Sequence, residues 1–286
     1  MERVAIVGLG LIGGSLGLAL RRALPGVEVL GVARRTETAE AALKIGAATA
    51  AGTELAAVSQ ADLVVLCCPH GVQAQVMEEL VTHLAEGARV TDVGSVKSSV
   101  VDDAARILDR TRNGFLGGHP MAGKEVTGIE NADADLFTGR PWVLTPTGRT
   151  PLGAFSDWVE AIEEMGARPM TMSPAEHDRA VALVSHLPFM GSAAYLLAVR
   201  GAPGNDAALE LASSGFRDYS RLGAGDPDMY AAIAEANREE LLSAFASLHG
   251  ALDRFEAALA REDYVGLGAL FREAREVRAA WERTRG

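Results

Sequence analysis

The sequence predicts an α/β domain with a parallel sheet covered by helices over residues 1–172, followed by an all-helical domain over residues 173–286. Three observations support this fold class. Short apolar runs alternate with helical patterns throughout the first half. The runs VAIVG and LVVLCC lack polar alternation, as is typical of strands buried on both faces. After Pro174 only helical patterns remain.

Seven segments have the composition of strands, and they fall at residues 3–8, 27–33, 62–68, 89–93, 114–117, 141–145 and 168–172. Helical patterns of the first domain cover residues 15–22, 73–84, 100–108 and 152–165. In the second domain, Asp226 before Pro227 predicts a helix N-cap followed by proline at the first helical position.

Two long helices of the second domain carry narrow apolar seams. Apolar residues recur at steps of three and four from Leu241 to Leu259 and from Leu267 to Trp281. These seams exceed what one small domain can bury, which predicts a homodimer built through the helical domain. The alternative is packing of both seams within one chain.

The composition restricts the partners and the compartment. The net charge of −11 argues against nucleic acid, which needs a basic face. The start of the chain has Glu2 and no basic segment, which argues against a signal peptide. We find no uncharged apolar run of about 18 residues and therefore expect no membrane span. The neighbouring Cys67 and Cys68 suit a reducing cytoplasm.

A glycine-rich turn follows the first strand and indicates a dinucleotide site of the Rossmann type. Its glycines have the spacing GxGxxG: Gly8 permits the tight turn, Gly10 the approach of a pyrophosphate, and Gly13 close packing of helix on strand. The following helix presents its N–H groups to the phosphates. The predicted cofactor-binding residues of this turn are Gly8, Leu9, Gly10, Leu11, Ile12 and Gly13. The alternative is a glycine-rich turn without a ligand.

The end of the second predicted strand indicates which nicotinamide cofactor is bound. An NAD site usually has an acidic residue there, whereas this chain has Ala33 followed by Arg34 and Arg35. Guanidinium groups favour a 2′-phosphate, which predicts NADP, with NAD possible. The alternative is a solvated basic pair. Pro69, after LVVLCC, is expected beside the cofactor at the carboxyl edge of the sheet.

Two polar side chains follow later strands at the same edge. Ser95 follows the strand at 89–93, and His119 lies in a loop bounded by glycine and proline. Hydride transfer from an alcohol needs a base for the hydroxyl proton, and histidine suits that role at neutral pH. A structural hydrogen bond for His119 and an N-cap role for Ser95 are the alternatives.

Four segments together resemble the prephenate/arogenate dehydrogenase family of tyrosine biosynthesis: DVGSVK at 92–97, GGHPMAGKEVTG at 117–128, SHLP at 185–188 and LASSGFRDYSRLGAGDP at 211–227. The resemblance covers essentially the whole chain. It implies an enzyme that oxidises and decarboxylates prephenate or arogenate with a nicotinamide cofactor and without a metal.

The resemblance also implies roles for single residues. His119 would accept the ring hydroxyl proton and Ser95 would assist at that hydroxyl. Arg217 would bind a substrate carboxylate, and His186 would line the substrate pocket. A polar residue before the kink expected at Pro188 is the alternative for His186.

One departure from the family leaves the substrate open. Many members have a second histidine directly after SHLP, where this chain has Phe189. Together with Ala33, this resembles NADP-using arogenate enzymes, so both prephenate and arogenate remain as substrates.

Two other function classes are considered. A β-hydroxyacid or 6-phosphogluconate type dehydrogenase would need a lysine base in the second domain, and no lysine occurs from Pro174 onward. A non-catalytic NADP-binding sensor would need neither His119 nor Ser95.

Overall fold

The computed structural model describes residues 1–108, 113–124 and 126–284. Its contacts divide the chain into two units, Met1–Arg238 and Glu239–Gly286. The first unit contains the sheet and the helices that surround it. The division expected at residue 172 remains a prediction.

The first unit is built on a sheet whose eight described strands are β1 (Arg3–Val7), β2 (Glu28–Val32), β3 (Ala50–Gly52), β4 (Leu63–Leu66), β5 (Arg89–Asp92), β6 (Gly114–Pro120), β7 (Pro141–Thr145) and β8 (Arg168–Thr171). Their order across the sheet is β3-β2-β1-β4-β5-β6-β7-β8. Strands β1 to β6 are parallel, and β7 pairs antiparallel with β6. The carboxyl ends of β1, β2, β4, β5 and β6 therefore share one edge.

Both faces of the sheet are buried, as the apolar runs predict. Successive residues of β1 alternate between two cores: Val4 and Ile6 pack on one side, and Ala5 and Val7 on the other. All four β4 residues are buried as well. This burial explains why these strands show no polar alternation.

The described α-helices are α1 (Leu11–Ala23), α2 (Thr36–Lys44), α3 (His70–Leu80), α4 (Ser98–Leu108), α5 (Ser156–Glu164), α6 (Pro174–Val181), α7 (Leu187–Gly201), α8 (Asn205–Glu210), α9 (Ser214–Ser220), α10 (Pro227–Ala236), α11 (Arg238–Ala260) and α12 (Tyr264–Arg283). No strand follows β8 among the described residues, so the predicted fold class is confirmed.

The sequence patterns locate most elements but not all of their bounds. Strand β3 was not predicted, because a three-residue edge strand of alanine and glycine has no apolar pattern. Helix α1 begins at Leu11, four residues before the predicted start, since its first residues are the glycine turn itself. The predicted helix at 152–165 is a 3₁₀ turn, Leu152–Phe155, followed by α5.

The helical part of the first unit contains a π-helical turn. Residues Ala182–His186 form this turn directly before α7, whose first turn contains Pro188. A proline removes one backbone donor and crowds the preceding turn, which explains an irregularity at this point. Asp226 is the N-cap of α10 and accepts hydrogen bonds from the backbone N–H of Asp228 and Met229, as predicted.

One helical segment, Pro174–Gly201, is long and apolar enough to cross a membrane, with a mean hydropathy of 1.5 in its apolar window. From the sequence we expected no segment with the length and composition of a membrane span, and that expectation was wrong. Two residues of its first turns, His177 and Asp178, are nevertheless buried and hydrogen-bonded to the sheet domain. Such contacts are typical of a helix within a folded domain.

The second unit is a pair of helices, α12 and nearly all of α11. The rings of Phe255 and Phe271 pack against each other with centroids 5.4 Å apart. Several predicted seam residues are instead exposed by half or more: Leu252, Leu259 and Val277. The described chain alone therefore leaves much of both seams uncovered.

Candidate active site

The carboxyl edge of the sheet collects most of the predicted site residues. The glycine turn follows β1, Arg34 and Arg35 follow β2, and Pro69 follows β4. Ser95 follows β5. His119 is the second-last residue of β6 and pairs with Val143 of β7, so the prediction that it lies in a loop was wrong. Open parallel sheets bind their ligands at this edge, where the connections diverge.

The glycine turn has the geometry that a dinucleotide requires. Gly8 has a φ of 106°, and a Cβ there would lie 2.6 Å from the carbonyl oxygen of Cys67. A Cβ on Gly13 would overlap the carbonyl oxygen of Gly8. Beside Gly10, by contrast, a Cβ would meet none of the described atoms within 4 Å. The turn is therefore closed against the sheet and open where a pyrophosphate would lie.

Helix α1 begins next to this open space. Gly10 is its N-cap and provides no side-chain cap for the first N–H groups. Leu11 and Ile12 lie in the first turn, whose N–H groups have no partner within a helix and favour an anion. Leu9 is buried beneath the turn with 2% exposure. These residues fit the pyrophosphate of a dinucleotide.

The end of β2 presents two cationic side chains. Ala33 is buried, whereas Arg34 and Arg35 are exposed directly after it. Arg35 is the N-cap of α2, with extended backbone. Pro69 holds the corresponding N-cap position of α3 and is also exposed.

His119 is part of a buried chain of hydrogen bonds. Its Nδ1 lies 2.8 Å from Nε2 of His177, and Nδ1 of His177 lies 2.8 Å from Oδ1 of Asp178. The three residues have exposures of 8%, 1% and 3%. Among the described residues, Nε2 of His119 has no hydrogen-bond partner. One ring nitrogen is thus held while the other remains available to a ligand.

Asp178 also joins α6 to the start of α4. Its Oδ1 accepts a hydrogen bond from the backbone N–H of Lys97 at 2.7 Å, and its Oδ2 accepts one from that of Ser98 at 2.8 Å. Burial raises the pKa of Asp178, but the hydrogen bonds from His177, Ser98 and Lys97 outweigh it and lower this pKa to about 2. The carboxylate is therefore ionised at neutral pH.

A buried ion pair holds the strand end that carries His119. The Lys97 ammonium pairs with the Asp92 carboxylate, and both side chains are fully buried. Lys97 Nζ also donates to the Gly118 carbonyl at 2.8 Å, and Asp92 accepts from the Gly118 N–H at 3.0 Å. Burial lowers the pKa of Lys97 although Asp92 opposes the change. Both backbone groups of the residue before His119 are thereby fixed.

The surroundings keep His119 neutral. Burial lowers its pKa well below 6.5, and the neighbouring His177, Lys97 and His186 lower it further, while Asp178 acts in the opposite direction. A neutral imidazole is the form that can accept a proton.

His186 lies close enough to His119 to affect its charge, and burial lowers the pKa of His186 to about 4. Asn237 Nδ2 lies 3.2 Å from Nδ1 of His186 and donates to the Asp178 carbonyl at 2.9 Å. Nε2 of His186 is buried without a partner among the described residues. Both the pocket role and the structural role of His186 remain predictions.

Ser95 is half-buried in the loop between β5 and α4. The helix after it begins at Ser98, two residues later than an N-cap at Ser95 would require, and the Asp178 carboxylate accepts hydrogen bonds from the backbone N–H groups of Lys97 and Ser98. An N-cap role for Ser95 is therefore not observed, and its assistance at the substrate hydroxyl stays a prediction.

Arg217 lies on the short helix α9. Its side chain is 74% exposed and its Nε contacts Asp218 at 3.0 Å. It lines a cavity of about 590 Å³ with Leu196, Phe216, Ser220, Arg221 and Ala224. Neither His119 nor His186 is among the residues that line this cavity.

Sequence reasoning assigned no role to His177, Asp178 or Lys97. One available signal was the pattern Ser173-Pro174-x-Glu176, which forms a capping box and begins α6. It places His177 and Asp178 within the first two turns of a helix that follows β8. The burial of Lys97, by contrast, depends on long-range packing.

Comparisons with known proteins cover nearly the whole chain. The family model for the prephenate dehydrogenase nucleotide-binding domain matches residues 16–171, and that for the prephenate dehydrogenase dimerization domain matches residues 173–273. A prephenate dehydrogenase of Bacillus subtilis is 31% identical over 280 residues, which are 97% of this chain and 75% of the relative.

Two solved structures are also similar over 98% of this chain. The arogenate dehydrogenase of Synechocystis has a TM-score of 0.85 and 36% identity, with 100% of that chain covered. The prephenate dehydrogenase of Aquifex aeolicus, in complex with hydroxyphenyl propionate and NAD+, has a TM-score of 0.91 and 30% identity, with 98% of that chain covered.

Proposed function

This chain belongs to the prephenate dehydrogenase family, and we propose that it oxidises prephenate or arogenate with NADP and releases the ring carboxylate as carbon dioxide. It is an oxidoreductase of tyrosine biosynthesis. The products are 4-hydroxyphenylpyruvate from prephenate and tyrosine from arogenate.

One observation carries the assignment of the chemistry to residues. His119 stands at the same carboxyl edge of the sheet as the glycine turn, neutral, with Nδ1 hydrogen-bonded and Nε2 available. A bound nicotinamide supplies the hydride acceptor of the reaction. His119 accepts the proton of the ring hydroxyl, so that the carbinol carbon can lose hydride as the carboxylate departs. Ser95, in the neighbouring loop, assists at the same hydroxyl.

The cofactor is held by groups of this chain. The first turn of α1 binds the pyrophosphate, while Pro69 borders the cofactor between β4 and α3. Relatives support a nicotinamide cofactor, NAD at least, since that of Aquifex aeolicus was solved with NAD+. The buried methyl of Ala33 and the exposed guanidinium groups of Arg34 and Arg35 favour a 2′-phosphate, which supports NADP.

Arg217 is proposed to bind a carboxylate of the substrate. Its guanidinium can form a bidentate pair with a carboxylate, which orients a flexible dianion. His186 is proposed to line the pocket with its buried, unpartnered Nε2. Phe189, which packs against Tyr230 with centroids 4.5 Å apart, takes the position of the second family histidine. Both prephenate and arogenate therefore remain as proposed substrates.

The chain is proposed to act as a cytoplasmic homodimer without nucleic acid or membrane partners. The exposed seam residues of α11 and α12 and the match to a dimerization domain support a dimer through the helical part. The acidic net charge argues against nucleic acid, and the adjacent cysteines suit a reducing cytoplasm. The buried contacts of His177 and Asp178 favour a helix within a folded domain over a membrane span. The absence of lysine from Pro174 onward disfavours the β-hydroxyacid dehydrogenase hypothesis.

A four-way assay tests the function. Purified protein is given prephenate or arogenate, each with NAD or NADP, and the absorbance of reduced nicotinamide is followed. We expect turnover with at least one ring substrate and a preference for NADP. Binding of NADP without turnover in any of the four pairs would favour the sensor hypothesis over the enzyme.

A further inference from the structure

The hydrogen bonds around His119 determine which of its ring nitrogens carries the proton. Asp178 is ionised and accepts two backbone N–H groups, so its Oδ1 can only accept from Nδ1 of His177. In a neutral His177, Nε2 then carries a lone pair. Nδ1 of His119 must donate to that lone pair across 2.8 Å, which leaves Nε2 of His119 as the basic nitrogen.

We propose that His177 and Asp178 are positioning residues, which hold His119 in the Nε2-basic tautomer and stabilise it while it carries the substrate proton. This inference rests on the proposed function, because it specifies which ring nitrogen of His119 acts as the base of that reaction. Neither residue contacts the reacting atoms in this account. Both act through the Nδ1–H of His119.

The proton balance of the reaction explains why such support is needed. The O–H bond of the substrate breaks and an N–H bond forms at Nε2 of His119, while the C–H electron pair leaves as hydride. Loss of carbon dioxide returns its C–C electron pair to the ring, which becomes a phenolate. The phenolate then takes the proton back from His119. No proton is released overall, so His119 holds a positive charge only between these steps.

Of the groups that act electrostatically on His119, Lys97 before α4, His177 in α6 and His186 in the π-helical turn oppose that transient positive state, and Asp178 in α6 favours it. A second anion, Asp92 at the end of β5, contacts Gly118, the residue before His119. His70 at the start of α3 faces Lys97.

Asp92 is already paired with Lys97. The Asp178 carboxylate is therefore the anion that can stabilise a protonated His119, and it does so through the His177 ring. A charge-assisted hydrogen bond from Nδ1–H of the protonated ring to His177 carries this effect, because such bonds are stronger than neutral ones.

The tautomer can be measured in the wild-type protein without substrate or cofactor. The chain contains six histidines. Long-range ¹H–¹⁵N spectra of ¹⁵N-histidine-labelled protein distinguish protonated from unprotonated ring nitrogens, and single substitutions assign the signals. We expect the His119 proton on Nδ1. A His119 proton on Nε2 would overturn the inference whatever the activity, whereas an inactive wild type with the expected spectrum would overturn only the proposed function.

The variant Asp178→Asn tests the role of the negative charge on the Asp178 carboxylate. The amide can donate to Nδ1 of His177, which reverses both tautomers and places the His119 proton on Nε2. In a serine protease triad, the corresponding change lowers kcat about 10⁴-fold, and we expect a loss of about 10²–10⁴-fold in kcat with a change in KM of less than about threefold. An unchanged kcat would contradict the inference.

Ser173→Ala is the matched control. It removes the capping box at the exposed start of the same helix without touching the His177–Asp178 chain. We expect wild-type kcat and an unchanged His119 spectrum. If Ser173→Ala lowered kcat as much as Asp178→Asn, the role of Asp178 would be the stability of α6 alone.

A pair of variants at His177 separates hydrogen bonding from packing. His177→Phe keeps a ring but offers no acceptor to His119, whereas His177→Gln offers an amide oxygen. We expect the Gln variant to exceed the Phe variant at least about tenfold in kcat, within the range of general base catalysis. Equal kcat values in the two variants would show that His177 only fills space.

Discussion

Replacing Arg34 and Arg35 by alanine should remove most of the proposed preference for NADP. Both side chains are exposed at the end of β2, next to the glycine turn, and Ala33 before them offers no carboxylate to a ribose hydroxyl. The substitution leaves the buried strand unchanged. Its effect should therefore appear in cofactor choice rather than in folding.

The magnitude follows from the exposure of the two guanidinium groups. A hydrogen bond to a charged group contributes about 1.5–3 kcal/mol, and exposed ion pairs lie at or below the lower end of that range. Since about 1.4 kcal/mol corresponds to a factor of ten, each arginine contributes up to about tenfold. We expect kcat/KM for NADP to fall about 10–100-fold in the double variant, on the same basis.

The assay measures kcat/KM with each cofactor at a fixed substrate concentration. The value for NAD should change less than about threefold, because NAD has no 2′-phosphate. Added salt should reduce the wild-type preference for NADP, since salt screens the attraction between exposed charges, with a screening length of about 8–10 Å near physiological ionic strength. The control is Lys44→Ala, which removes one positive charge from the far end of α2, about 12 Å away along the helix.

Two results would refute this reasoning. One is an unchanged ratio of the two cofactors in the double variant. The other is an equal loss with NAD and NADP, which would mean that the arginines support the fold or the pyrophosphate rather than the 2′-phosphate.

Three further predictions follow from the site. The acid limb of kcat/KM should lie below pH 6.5, because protonation removes the His119 lone pair and burial lowers its pKa; a limb at or above pH 6.5 would contradict this. Arg217→Ala should raise KM about tenfold or more with little change in kcat, and Arg217→Lys should recover part of the loss; an unchanged KM would exclude its carboxylate role. Above pH 4, ionised Asp178 should stabilise the fold by about 2 kcal/mol, a contribution lost as the pH falls towards 2; equal unfolding free energies of wild type and Asp178→Asn at pH 7 would contradict it.

The fold could be predicted from local patterns because its strands are buried on both faces. Runs such as the one in β4 have no polar residue, and turns and caps such as Asp226-Pro227 have local signals. Strand β3 could not be predicted, since three small residues pair with β2 only through the tertiary fold. The reversal of β7 relative to β6 has no local signal either.

The candidate site was predictable in its outer parts and not in its buried centre. The glycine turn has a recognisable spacing, and both it and His119 lie at carboxyl ends of strands at the same edge. The contact between His119 and His177 joins residues 58 positions apart. The burial of the Lys97–Asp92 pair depends on packing that no single segment encodes. Arg217 illustrates the opposite case, because its motif is clear in the sequence while the single chain leaves it exposed.

The most direct test is the kcat of His119→Ala with the best pair of substrate and cofactor. Turnover is measured by the absorbance of reduced nicotinamide. His83→Ala, which removes an exposed histidine after α3, is the matched control and should behave as wild type. We expect His119→Ala to lower kcat about 10²–10⁴-fold with a small change in KM. A kcat within about twofold of the wild-type value, against that expected range, would show that His119 is not the base.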